Sequence, residues 1–180
     1  MTTAMGDCCG KNKKGTYTAA ATEDDAFQHV DDEKAIMDRY LKAEFSAMDT
    51  DKDGMLTPDE FVKLLMFLGY GGGDSGKELL KAVNKDKNTV ITLDEYYDAM
   101  KRSDVVQKTN GMRFLFQCFD DNKDGKARKD QIEEGFARMQ IELDDEMKRD
   151  IANMDENHDG IIAYEEFVHS QLKKKNYVSS

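Results

Sequence analysis

The sequence predicts an all-α fold of two lobes, each a pair of helix–loop–helix hands whose loops meet in a short β-bridge. Three observations carry this expectation. Four acidic twelve-residue segments begin at Asp49, Asn84, Asp120 and Asp155, spaced 35, 36 and 35 residues apart, with apolar residues at helical spacing on either side. Of 180 residues one is Pro, none is Trp and eleven are Met, a composition that suits helices. Apolar residues make up 39% and charged residues 35% of the chain, enough for a modest core but lean for a large α/β enzyme. The formal charge of −11, from 26 basic and 37 acidic residues, argues against nucleic acid as a partner, because that binding runs on basic groups that displace counterions. It favours something cationic: a metal ion or a basic helix.

Taken in order, residues 1–28 are polar and aperiodic and read as a disordered N-terminal tail. A first helix is expected from about Asp31–Asp32, with Ile36, Tyr40, Leu41, Phe45 and Met48 recurring along one face. It opens an N-terminal pair of hands over 29–101. Within it, Gly71–Gly73 read as a helix end, and Ser75 with Glu78 as a capping box that starts the next helix. The same stretch, GGGDSGKE, approaches a phosphate-binding loop, but Glu78 stands where Ser or Thr would hold magnesium and no strand precedes it. Residues 102–112, with the turn signal Asn110-Gly111, read as a lobe-to-lobe linker that is part helical. A second pair spans 113–174, and 175–180 form a short tail.

A twelve-residue loop that holds calcium needs oxygen donors at positions one, three and five and a backbone carbonyl at seven. It also takes, often, a water at nine, which Thr57 would orient in the first loop, and a bidentate Glu at twelve, with Gly at six for a turn of positive φ. The first loop, DTDKDGMLTPDE, meets every requirement through Asp49, Asp51, Asp53, the Met55 carbonyl, Thr57 and Glu60, with Gly54 at six. The fourth, DENHDGIIAYEE, supplies Asp155, Asn157, Asp159, the Ile161 carbonyl and Glu166, with Ala163 leaving room for water at nine. The second loop is degraded: Asn84, Asp86, Asn88 and Glu95 would make a weak third site, but Thr89 replaces Gly. The third begins with Asp120, Asn122, Asp124 and Gly125, but it closes with Gln131 and carries Lys126, Arg128 and Lys129. Two Ca2+ per chain are expected, in loops one and four, with Mg2+ as a competitor. The paired loops should cross at their eighth positions, Leu56 with Ile91 and Ala127 with Ile162.

The segments EFSAMDTDKDGMLTPDEFVKLLMFLGY and MDENHDGIIAYEEFV resemble the calmodulin superfamily of EF-hand proteins, a likeness that covers about residues 34–172. The resemblance implies two lobes of paired EF-hands and a calcium sensor that exposes an apolar groove to an amphipathic, basic target helix. Met48, Met66, Met100 and Met112 suit such a groove. Ser170-Gln171 replace the methionines of calmodulin-like exit helices and lean toward a buffer that binds calcium without opening. A light-chain-like structural subunit is the third reading.

The N-terminus lacks the apolar core of a secretory signal, and the longest apolar stretch, 61–70, is interrupted by Lys63. Cys8-Cys9 beside Lys11, Lys13 and Lys14 resemble an acylated membrane anchor, but an unmodified tail is the preferred reading. Three cysteines make no disulfide framework. A cytoplasmic monomer is therefore expected. Cys118, His29, His158 and His169 are scattered, so no catalytic set points to an enzyme.

Overall fold

A computed structural model describes residues 23–84 and 90–178. The expectations for residues 1–22, including Cys8-Cys9, and for Asp86, Asn88 and Thr89 lie outside the described residues. The first hand is α1 (Glu23–Met48), β1 (Met55–Leu56) and α2 (Pro58–Leu68), and the second is α3 (Gly73–Val83), β2 (Ile91–Thr92) and α4 (Leu93–Met100). After α5 (Ser103–Thr109), the third hand is α6 (Gly111–Gln117), β3 (Lys126–Arg128) and α7 (Lys129–Arg138). The fourth is α8 (Asp145–Met154), β4 (Ile161–Ala163) and α9 (Tyr164–Lys174). Strands β1 and β2 pair antiparallel with Leu56 opposite Ile91, and β3 and β4 with Ala127 opposite Ile162. All four side chains are buried, so each bridge joins its two loops and also plugs the core beneath them.

The element boundaries differ from the sequence expectation in three places. Helix α1 starts at Glu23, inside the expected tail 1–28 and eight residues before Asp31. Helix α3 starts at Gly73, capped by Gly72 with no side-chain cap bond, so the Ser75–Glu78 capping box does not form. Close packing governs there instead. A Cβ at Gly76 would meet Val62 Cγ1 at 3.2 Å, so glycine lets α3 approach α2. The linker 102–112 is part helical, as expected, and α5 is packed: Val105 and Thr109 are buried, and Tyr70 at the end of the first hand donates to Asp104 Oδ2 at 3.0 Å. In the expected tail 175–180, Tyr177 and Val178 pack against the core, and the Tyr177 N–H donates to the Leu172 carbonyl.

The two pairs of hands share one apolar core, and α1 is the element between them. On its own side Phe45 meets Tyr96 of α4 edge-on at 5.7 Å. On the other side the Tyr40 ring lies 4.7 Å from Tyr164 of α9 and 6.3 Å from Phe116 of α6, both T-shaped. One carboxylate stands at this junction. Glu44 of α1, fully buried, accepts from Tyr96 Oη and Tyr164 Oη at 2.8 Å each and from Arg113 Nη2 of α6 at 2.8 Å. Arg113 Nε lies 2.8 Å from the other Glu44 oxygen. Burial first, and then the Glu44 charge, push both phenols well above their ordinary range, so they stay neutral donors. Burial alone would lower the Arg113 guanidinium, but the Glu44 charge and hydrogen bond, with Tyr96 and Tyr164 adding to them, together hold the group above its usual range.

Candidate metal centres

Loops one, three and four share one backbone form. Their fourth residues, Lys52, Lys123 and His158, have φ of 58°, 58° and 59°, and the sixth, Gly54, Gly125 and Gly160, have φ of 80°, 81° and 83°. Glycine takes the second of these turns at no steric cost. The turn aims the sixth N–H at Oδ2 of the first residue: Gly54 to Asp49 at 2.9 Å, Gly125 to Asp120 at 2.7 Å, Gly160 to Asp155 at 3.1 Å.

In loop one the structure gathers Asp49, Asp51 and Asp53, with an oxygen of each within 4.8 Å of the others. Asp49 is only 7% exposed, and its Oδ1 is buried without a hydrogen-bond partner. An orphaned buried carboxylate oxygen is costly unless a cation or donor meets it. Burial, with Asp51 and Asp53 adding like charge, pushes the Asp49 carboxyl above its usual range despite the Gly54 N–H. This uncompensated negative pocket fits a hard divalent cation. Glu60 closes the loop from the first turn of α2. Its Oε2 accepts from Thr57 N at 2.9 Å and from Thr57 Oγ1 at 2.8 Å, a capping box that ties loop to helix. Thr57, expected to orient a water, is thus the N-cap of α2, and Met55 opens β1.

Loop four has the same turns: Asn157 Oδ1 accepts from Asp159 N at 2.9 Å, Asp159 Oδ1 from Ile161 N at 2.8 Å, and Glu166 Oε2 from Ala163 N at 2.9 Å. Its first residue differs from Asp49 in having cationic company. Asp155, 2% exposed, lies 3.1 Å from Lys129 Nζ of the third hand. Burial would raise its carboxyl, but Lys129 and the N–H groups of Gly160 and Asp159 hold it below the usual range. His158 is exposed.

Loop three is docked by α1. Tyr40 Oη donates to Asp120 Oδ2 at 2.7 Å, the Arg39 guanidinium donates to the Lys123 carbonyl, and a Cβ at Gly125 would lie 2.9 Å from Arg39 Cδ. Asn122 Nδ2 donates to Asp124 Oδ2 at 2.9 Å, and Arg128 pairs with Asp130 through both Nε and Nη2. Gln131 Oε1 accepts from Arg128 N at 2.9 Å, the place Glu60 and Glu166 fill in the other loops. Tyr40→Phe removes a buried donor from Asp120 and is expected to cost about 1–2 kcal/mol in denaturant unfolding. In loop two, Asn84 Nδ2 lies 3.5 Å from the Val90 carbonyl and Glu95 caps Thr92 N at 2.9 Å. The groups that sequence reasoning missed are Glu44, Tyr40 and Lys129 as partners across hands. The visible signal for the first two was a Glu one turn after a Tyr, on a face otherwise apolar.

Among the described residues no helix is long and apolar enough to cross a membrane. Residues 38–101 match the EF-hand domain pair. The chain is 31% identical over 128 residues to calcium-dependent protein kinase 19 of Arabidopsis thaliana, covering 71% of this chain and 23% of that protein. It is 31% identical over 129 residues to calcium-dependent protein kinase 15 of Oryza sativa subsp. japonica, with 71% and 24% covered. It is 29% identical over 128 residues to calcium-dependent protein kinase 2 of Zea mays, with 71% and 25% covered. The chain thus spans about a quarter of the length of these curated relatives. Its repeated Asp-rich loops, their glycine turns, the bridge joining each pair of loops and the matched domain pair agree: the chain belongs to the EF-hand superfamily of calcium-binding proteins.

Proposed function

We propose that the protein is a cytoplasmic calcium sensor that binds two Ca2+, through loops one and four, and then offers an apolar groove to an amphipathic, basic helix. The observation that carries the metal reading is Asp49 Oδ1, buried and unpartnered within the Asp49–Asp51–Asp53 cluster. Glu60 and Glu166 are the closing ligands. Each sits in the first turn of its exit helix, so drawing the carboxylate inward would draw the helix with it. The calcium-dependent kinases to which the chain is similar carry calcium dependence in their names, which supports a regulatory over a purely structural role. Magnesium competes for the same oxygens, and the chain acts as a monomer without catalysis of its own.

A second reading, a buffer that binds without opening, draws support from the buried Met48 and Met100 and from the Glu44–Arg113 pair between the two pairs of hands. A calcium titration in saturating magnesium, followed calorimetrically and with a dye that fluoresces on apolar surface, separates the two. The sensor gives two bound Ca2+ and a calcium-dependent rise in dye signal. Two ions with no rise would establish the buffer, and one or four tight ions would overturn the assignment of loops.

A further inference from the structure

Loops one and four are not electrostatically equivalent. Loop one gathers four carboxylates in its ligand set, Asp49, Asp51, Asp53 and Glu60, whereas loop four has three, Asp155, Asp159 and Glu166, with Asn157 neutral. One of those three is further neutralised from outside the loop. Lys129 is the tenth residue of loop three and the first of α7, immediately after the strand β3 that pairs with β4. Its Nζ reaches back across the pair to Asp155 Oδ2 at 3.1 Å, and the oxygen it meets belongs to a carboxylate only 2% exposed. A cation held against a buried oxygen is screened less than one in solvent, so it opposes a second cation entering beside it. Loop three, which lacks a closing Glu, thereby acts on its partner through a lysine. We propose that Lys129 is an affinity-setting residue for loop four, a built-in cation that weakens the binding of divalent metal there. The proposal rests on the reading that loop four binds calcium. The test is a calcium titration of the full chain by 15N-resolved NMR, with the Gly160 amide reporting loop four and the Gly54 amide reporting loop one. Lys129→Met is expected to move the Gly160 midpoint to roughly 3- to 10-fold lower free calcium, with the Gly54 midpoint unchanged. Lys129→Arg keeps the charge and should restore the parent midpoint, and Lys148→Met, which removes an exposed charge on α8, should leave it where it was. A Gly160 midpoint that stays put or rises in Lys129→Met, or one that Lys148→Met shifts equally, overturns the proposal while leaving loop four a calcium site. A Gly160 amide that responds to calcium in neither the parent nor Lys129→Met overturns the reading of loop four and the proposal together.

Discussion

Glu60→Gln is expected to lower the calcium affinity of loop one at least about 100-fold, near 2.7 kcal/mol, while leaving the calcium-free fold intact. The separation of the two effects comes from loop three. There Gln131 stands at the closing position, and its Oε1 accepts from Arg128 N at 2.9 Å, as Glu60 Oε2 accepts from Thr57 N at 2.9 Å. A glutamine therefore serves as the helix cap and lacks only the charge and the second carboxylate oxygen. The ligand set falls from four carboxylates to three while the orphaned Asp49 Oδ1 keeps its position. Calorimetric titration measures the first effect, and thermal unfolding in chelator measures the second. Unchanged affinity would mean that the loop register is wrong; a large loss of calcium-free stability would mean that the Glu60 cap needs the charged carboxylate, which a glutamine does not replace.

The loops and bridges were legible in the sequence because their signals are local. Asp and Gly at fixed offsets within twelve residues dictate the turns, and one apolar residue at the eighth position dictates which residues pair, as Leu56 with Ile91 and Ala127 with Ile162. What α1 does between the pairs was not legible. Glu44 stands out only as a charge on an otherwise apolar face, and its partners Tyr96, Arg113 and Tyr164 lie 52, 69 and 120 residues along the chain, beyond what that local signal can name. The same holds for Tyr40 with Asp120, 80 residues apart. The start of α1 at Glu23 was missed for a related reason: a polar, low-periodicity stretch can be helical where a period count registers nothing. Lys129 was legible as a charge, but not as a charge aimed at the neighbouring loop.

Arg113→Met is expected to destabilise the protein by about 3–5 kcal/mol, because it strips the counter-ion from a carboxylate with no exposure to water. The two tyrosine hydroxyls that remain donate to Glu44 but carry no charge to balance it. Replacing both members, as Glu44→Gln with Arg113→Met, removes the stranded charge. The two phenols meet different Glu44 oxygens, so the amide oxygen still accepts from one of them, and the amide NH2 can donate to the hydroxyl oxygen of the other. The double variant should recover half or more of the loss, since uncharged replacements of a buried pair are often close to neutral. Denaturant unfolding of the full chain in chelator gives both numbers. The comparison also bears on how the hands work. Glu44 belongs to the first hand, Tyr96 to the second, Arg113 to the third and Tyr164 to the fourth, so the pair bonds all four into one unit. If Arg113→Met costs less than about 1 kcal/mol, Glu44 meets water in solution and the two pairs of hands move independently. If the full cost appears in chelator but falls once calcium is bound, calcium loosens this junction, and the opening of a groove begins at Glu44.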